Sequence, residues 1–369
     1  MFSTPTVAGD VLLIGSCAGT FYAFDKRSGK VRWSYDIHRD GNQTSFHGNP
    51  LITDQLVLIG TDKSCASGGI GHVYAFDRAT GTVRWKYRTA GTPTDIARIG
   101  STIYAASFVD ELSALNLADG TLRWKFATGT PNPDCALPPA PVVVGDRVVY
   151  AGLDGILYGF DSQSGKVLWK HDLGKRPTTK LSVVNNSVYV GNSTRRLFRI
   201  SADDGKLQST LSVPASPEGR FLVDADALYM FLEGSDSQGG YLISTDLNLS
   251  QISWTRKADR AWSSESPRLW NGLLLAGNCR SELDAFRISD GAPQWSDRLK
   301  GCLRSIGTDA DSKQVYVGAQ EGTIYAYLPP LAASRDRKHS LPVDGRKQPA
   351  SAEYRIKRPV VKSLSSQLL

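Results

Sequence analysis

The sequence predicts an all-β fold, an eight-bladed β-propeller of four-stranded antiparallel blades. Three observations carry this. A thirteen-residue segment, FYAFDKRSGKVRW at Phe21–Trp33, recurs as VYAFDRATGTVRW (Val73–Trp85), LSALNLADGTLRW (Leu112–Trp124) and LYGFDSQSGKVLW (Leu157–Trp169). Complete or decayed copies begin at Phe21, Val73, Leu112, Leu157, Leu197, Leu242, Leu283 and Ile324, a period of about 43 residues that signals a solenoid or a propeller. Each period is rich in β-formers and shows no helical periodicity, and four-stranded units repeated radially are propeller blades.

Each copy reads as a strand, a tight turn and a second strand. Aromatics, Ala and Val fill the strands, and Asp25 and Gly29 flank the turn. A further strand precedes each copy: Val11–Ile14, Leu56–Ile59, Ile103–Ala106, Val148–Ala151, Val188–Val190, Leu228–Phe231, Leu273–Ala276 and Val315–Val317. Gly19, Gly155 and Gly322 mark the hairpins between them. A third extended run, marked by Pro5, Pro50, Pro141 and Pro267, completes four strands per period. The column of Ala23, Ala75, Ala114, Gly159, Ser244, Ala285 and Ala326 is small, and is expected to let the aromatic of the neighbouring blade approach. Trp33, Trp85, Trp124, Trp169, Trp254 and Trp295 supply that aromatic. Burying one Trp is worth about 4–6 kcal/mol as an upper bound. Arg199 and Ser209 break both columns in blade five, which makes it the weakest expected joint.

The propeller is expected to span residues 1–330, with a basic tail at 331–369. Blade eight lacks a Trp strand. Tyr354–Val361 is the candidate to cover its outer edge, after a charged, Ser- and Pro-rich linker. The tail holds most of the formal net charge of +7: from Leu331 onward nine Lys and Arg oppose three Asp and Glu. The body is near neutral, which excludes the basic face of a nucleic-acid binder. No apolar run is long enough for a membrane-spanning helix, and the first residues lack the pattern of a signal peptide. A monomer is expected. The five cysteines form no C-x-x-C and no adjacent pair, and are read as mostly buried free thiols.

The motif A-x-D-x-x-x-G-x-x-x-W, carried by Ala23, Asp25, Gly29 and Trp33 and again by Ala75, Asp77, Gly81 and Trp85, resembles the tryptophan-docking repeat of the PQQ-like, quinoprotein-type β-propellers over residues 1–328. The resemblance implies one of two branches. One consists of PQQ- and calcium-dependent alcohol dehydrogenases, with a vicinal disulfide and a catalytic Asp. The other consists of shorter, non-catalytic propellers that bind partners and assist outer-membrane assembly. The absence of adjacent cysteines, and a length that fits eight bare blades, favour the second. Its compartment, the cell envelope or periplasm, is implied by the resemblance alone.

Function should then lie in positions that do not repeat. In the column just ahead of the innermost strands stand Asp95, Lys180 and Arg220, with Glu265 and Arg304 one step earlier. They predict a charge-balanced channel, or, under the oxidoreductase alternative, an anion or quinone site held by Lys180, Arg220 and Arg304. No carboxylate set sufficient for calcium is evident, no metal-ligand spacing appears among the histidines, and no cofactor is expected for the scaffold reading. Trp262, Phe46 and His47 precede inner strands. They are expected to form a rim at the channel mouth that binds a protein or peptide together with the hairpin loops. Gly15-Ser16-Cys17-Ala18-Gly19 resembles a nucleophile elbow, but it falls in a hairpin rather than between a strand and a helix.

Overall fold

A computed structural model describes the chain except for residues 1–2, 42, 64–69, 93, 236–238, 259–261, 263–266, 310–312, 321, 328–351 and 356–369. It contains eight sheets, each of four strands in sequential antiparallel order, and is an eight-bladed propeller. Blades one to seven occupy residues 6–36, 51–89, 97–127, 142–172, 182–212, 217–257 and 268–298. Blade eight occupies 303–327, and its fourth strand is Ala352–Arg355. That strand pairs Thr323 with Arg355 and Ala326 with Ala352. It overlaps the expected closing segment at Tyr354 and Arg355 only. The linker from 331 to 351, and the rest of that segment, lie outside the described residues.

The second strands are mostly buried among the described residues, as in Val11–Gly15 and Leu273–Gly277. Both faces of such a strand pack against neighbouring blades, so it reads as a continuous apolar run rather than an alternating one. The outermost strands alternate instead. In Val31–Asp36, Trp33 and Tyr35 are buried while Arg32, Ser34 and Asp36 face solvent. A register shift recurs where the third and fourth strands pair, for example between Ala23 and Phe24 and between Ala75 and Phe76. The extra residue in the outer strand is the one before the Trp, such as Arg32 or Arg84. This bulge turns the indole inward.

The Trp joint differs from the expected one. Ala23 lies opposite Trp33 of its own blade, not against a neighbour. Gly159 shows why the column is small: a Cβ there would lie 2.1 Å from the ring of Trp169, its own cross-strand partner. The neighbouring blade instead receives the indole at its turn glycine. A Cβ on Gly81 would meet Trp33 at 2.4 Å, and one on Gly205 would meet Trp169 at 2.5 Å. Both glycines have positive φ, so they combine two demands only glycine satisfies. The Trp33 Nε1 donates to the Arg78 carbonyl at 3.1 Å, and Trp85, Trp124, Trp169 and Trp254 repeat this bond to Leu117, Ser162, Ala202 and Ile288. Each Trp therefore both packs on and hydrogen-bonds to the next blade's turn. Trp295 Nε1 is buried with no partner among the described residues.

Blade five replaces the joint with a polar one. Arg199 stands opposite Ser209 in the Ala–Trp register. The Arg199 guanidinium donates to Ser187 Oγ at 3.1 Å and to Asn248 Oδ1, in the turn of blade six, at 2.5 Å. The long side chain comes from the third strand and spans the gap left by the missing indole.

The ring closes between blades eight and one through the apolar cluster of Leu12, Ile14, Phe24, Tyr316, Ile324 and Ala326. A largely buried ion pair, Lys26 Nζ to Asp309 Oδ2 at 2.7 Å, joins the same two blades. The cysteines depart from the expected free thiols. Cys279 and Cys302 form a disulfide, and Cys135 is disulfide-bonded as well. The first bridge links the hairpin of blade seven to the entry of blade eight. These cysteines come from separate periods, so spacing could not pair them.

Candidate functional site

The inner ends of the blades carry a polar belt. Asn49 Oδ1 accepts from the Thr4 backbone at 2.7 Å. The Asn49 backbone and side-chain nitrogens donate to the Asp95 carboxylate at 2.8 and 3.3 Å. Arg220 Nη2 reaches the same carboxylate at 2.7 Å, and Lys180 Nζ lies 3.8 Å from it. Arg268 continues the belt on the other side, donating to the Ile306 carbonyl at 2.8 Å and to Thr4 Oγ1 at 3.4 Å. Asp95 thus ties blade three to blades five and six across the channel. Burial works against its charge, but Lys180, Arg220 and the Asn49 hydrogen bonds prevail and hold the carboxyl below its ordinary range.

This arrangement brings together three of the five expected channel residues. Asp95, Lys180 and Arg220 form one cluster. The Arg304 guanidinium lies 3.3 Å from Gln320 Oε1. Glu265 lies outside the described residues. The expected quinone or anion site does not fit this geometry, because Arg220 and Lys180 are directed onto Asp95. Among the described residues no group of three His, Cys, Asp or Glu side chains is placed to hold a metal ion.

The expected aromatic rim is also revised. Phe46 is fully buried, with its ring 5.5 Å from that of Phe21 in the core between blades one and two. Trp262 stacks on Phe231 at 5.2 Å and meets Phe286 edge-on at 5.9 Å. Both rings fill spaces between blades. An aromatic ahead of an inner strand looks the same in sequence whether it turns to solvent or into the joint.

His47 does lie at this end of the propeller, in a cluster the sequence did not reveal. Its Nδ1 is 2.7 Å from Asp62 Oδ2, and its ring also hydrogen-bonds to the Cys17 thiol. Burial disfavours the imidazolium, but Asp62 and Cys17 outweigh it and raise the group to about 9. Cys17 occupies the hairpin of blade one, Asp62 the corresponding position of blade two, and His47 the crossover between those blades. The signal available in sequence was positional: all three lie in segments that blade topology places on one face.

The same face exposes two apolar side chains. Val109 and Leu137 are 46% and 58% exposed. Val109 tips the blade-three hairpin, and Leu137 lies in the crossover to blade four. Asn132 joins the two segments, donating from Nδ2 to the carbonyls of Phe108 and Ala136 at 2.9 Å each.

Comparison with known proteins agrees with the architecture. The family described as outer membrane protein assembly factor BamB matches residues 2–124 and 100–256. The Yersinia pestis protein of that name is 23% identical over 328 residues, which cover 88% of this chain and 61% of that protein. The chain thus spans about three-fifths of that relative's length. The crystal structure of BamB from Moraxella catarrhalis superposes with a TM-score of 0.70 at 17% identity, over 88% of this chain and 96% of the other. A quinohemoprotein alcohol dehydrogenase of Pseudomonas putida is 31% identical over 81 residues, only 22% of this chain and 12% of that enzyme. With the family match extending over most of the propeller, this chain belongs to the outer membrane protein assembly factor BamB family.

Proposed function

We propose that this chain is a non-catalytic scaffold that binds a protein partner in the cell envelope and serves outer-membrane protein assembly. The family match is the observation that carries this reading. The channel geometry supports it: Asp95, Lys180 and Arg220 satisfy one another where an oxidoreductase of this fold would need an open cofactor site. The disulfides support an oxidising compartment such as the periplasm. The binding surface proposed is the face of hairpins and crossovers, centred on Val109 and Leu137 rather than on Phe46 or Trp262. Two apolar side chains held exposed by an ordered crossover have the character of an interface anchor.

The test is co-purification of the outer-membrane assembly machinery with tagged wild-type protein and with the V109D/L137D double variant. Loss of co-purification at unchanged melting temperature is expected. Retention of binding by the double variant would refute this surface. Stabilisation by pyrroloquinoline quinone with calcium, accompanied by dye-linked alcohol oxidation, would overturn the scaffold reading itself.

A further inference from the structure

The Cys17, His47 and Asp62 cluster is built by three segments that hold one another. The Phe46 amide donates to the Ser16 carbonyl at 3.3 Å, which ties the crossover to the Cys17 hairpin. The Thr44 and Ser45 amides donate to the Asp62 carbonyl at 3.0 and 3.1 Å, and the Asp62 amide returns a bond to Ser45 at 3.1 Å. Gly15 permits the approach, since a Cβ there would lie 2.4 Å from Phe46 Cβ. The backbone around all three side chains is thus fixed from both sides.

Asp62 is the most deeply buried member of the cluster. The Asp62 side chain is 4% exposed and that of His47 25%, while Cys17 is half-buried. The carboxylate holds Nδ1, and the thiol hydrogen-bonds to the same imidazole. Carboxylate, imidazole and thiol in this order are the arrangement that activates a sulfur nucleophile. They do not converge on a common point as metal ligands would. Cys17 also keeps its thiol in a chain whose Cys135, Cys279 and Cys302 are oxidised.

We infer that Cys17 is a nucleophilic thiol that exchanges with disulfides and thereby forms a mixed disulfide with a cysteine-bearing partner. The inference goes beyond the scaffold reading and does not depend on it. Cys17 Sγ attacks one sulfur of a disulfide RS–SR′, and a Cys17–SR bond forms. The RS–SR′ bond breaks, and R′S⁻ leaves with the bonding electron pair and takes a proton from the His47 imidazolium. One disulfide replaces another, so no external oxidant is needed. His47 acts on the reacting sulfur, and Asp62 is a positioning residue. Partner cysteines of two kinds share this chemistry, a small thiol and a protein thiol.

The experiment is the rate of iodoacetamide alkylation of the folded protein from pH 6 to 9, with glutathione as reference thiol and C17S as blank. At pH 6 Cys17 is expected to react about tenfold faster than glutathione, the higher thiolate fraction being partly offset by lower intrinsic nucleophilicity. H47Q should restore the pH profile of an ordinary thiol, and D62N should fall between. Circular dichroism checks that the variants fold; if one does not, the ratio of wild type to glutathione decides alone. A wild-type rate at or below that of glutathione at pH 6, or a folded H47Q with an unchanged profile, overturns the inference. Incubation with glutathione disulfide and with a disulfide-bonded peptide, read by intact mass, then separates the two kinds of partner. An adduct on Cys17 from either supports the exchange, and its absence from both overturns it.

Discussion

Gly81→Ala tests the blade joint most directly. Gly81 has a φ of +72°, where an Ala side chain costs about 1 kcal/mol. Its new Cβ would also sit 2.4 Å from the Trp33 ring. The indole is wedged between blades and must shift, at about 1–3 kcal/mol for overpacking. The shift weakens the Trp33 Nε1 bond to the Arg78 carbonyl, worth about 1 kcal/mol. The substitution should therefore cost about 3–4 kcal/mol. Gly145 is the internal standard: its φ is +57°, and nothing lies within 4 Å of an added Cβ. Gly145→Ala should cost the backbone strain alone, about 1 kcal/mol. Trp33→Ala should cost about 3–5 kcal/mol by itself. In its background Gly81→Ala should fall back to about 1 kcal/mol, leaving a coupling of about 2–3 kcal/mol. Urea unfolding followed by far-ultraviolet circular dichroism measures all the variants without relying on the removed fluorophore. Additivity of the two substitutions within about 0.5 kcal/mol, or equal costs at Gly81 and Gly145, would refute the docking geometry.

Two further outcomes follow from other contacts. Asp95→Asn removes the carboxylate that Arg220 and Lys180 share; since Arg220 is more than a third exposed, the loss should be about 2 kcal/mol rather than the larger cost of breaking a fully buried pair. Because the folded pKa of Asp95 is depressed, its contribution is complete above the unfolded value near 4 and is lost as pH falls through the folded value, so wild type should lose stability more steeply than the variant below about pH 4. Truncation after Pro330 removes Ala352–Arg355 and uncovers Thr323–Ala326; scanning calorimetry should show a midpoint lower by about 3 °C, and an unchanged midpoint would deprive that strand of a structural role.

Much of the fold was legible because each blade is contiguous and its signals are local. Asp25 and Gly29 specify a turn, and Trp33 and Tyr35 specify a strand with one buried face. The partner of the Trp was not legible. Ala23 and Trp33 alone do not reveal the bulge that sets them opposite each other, nor that Gly81 of the next blade receives the indole. The channel shows the same division. Asp95, Lys180 and Arg220 stand in one column of the repeat, so their common location could be read. Their pairing depends on the ring bringing blade three opposite blades five and six, which no local pattern encodes. Phe46 was misplaced because the same aromatic signal serves packing and recognition. Cys17 and Asp62 occupy the same hairpin position in successive blades, but His47 comes from the crossover between them, so no repeat column contains all three.

The direction of docking has a consequence for synthesis. Each of the five indoles bonded to a neighbouring turn, Trp33, Trp85, Trp124, Trp169 and Trp254, rests on the blade that follows it in the chain. A ribosome making this protein therefore releases each of these five Trps before its seat exists. Trp33 waits for the turn at Gly81, and Trp85 for the one at Gly120. The nascent chain always ends in one blade with a sticky outer edge, while the blades behind it are already sealed. The polar joint at Arg199 interrupts this relay after blade five. A stalled or truncated product ending there would present Ser209 and Arg199 to water instead of an unseated indole.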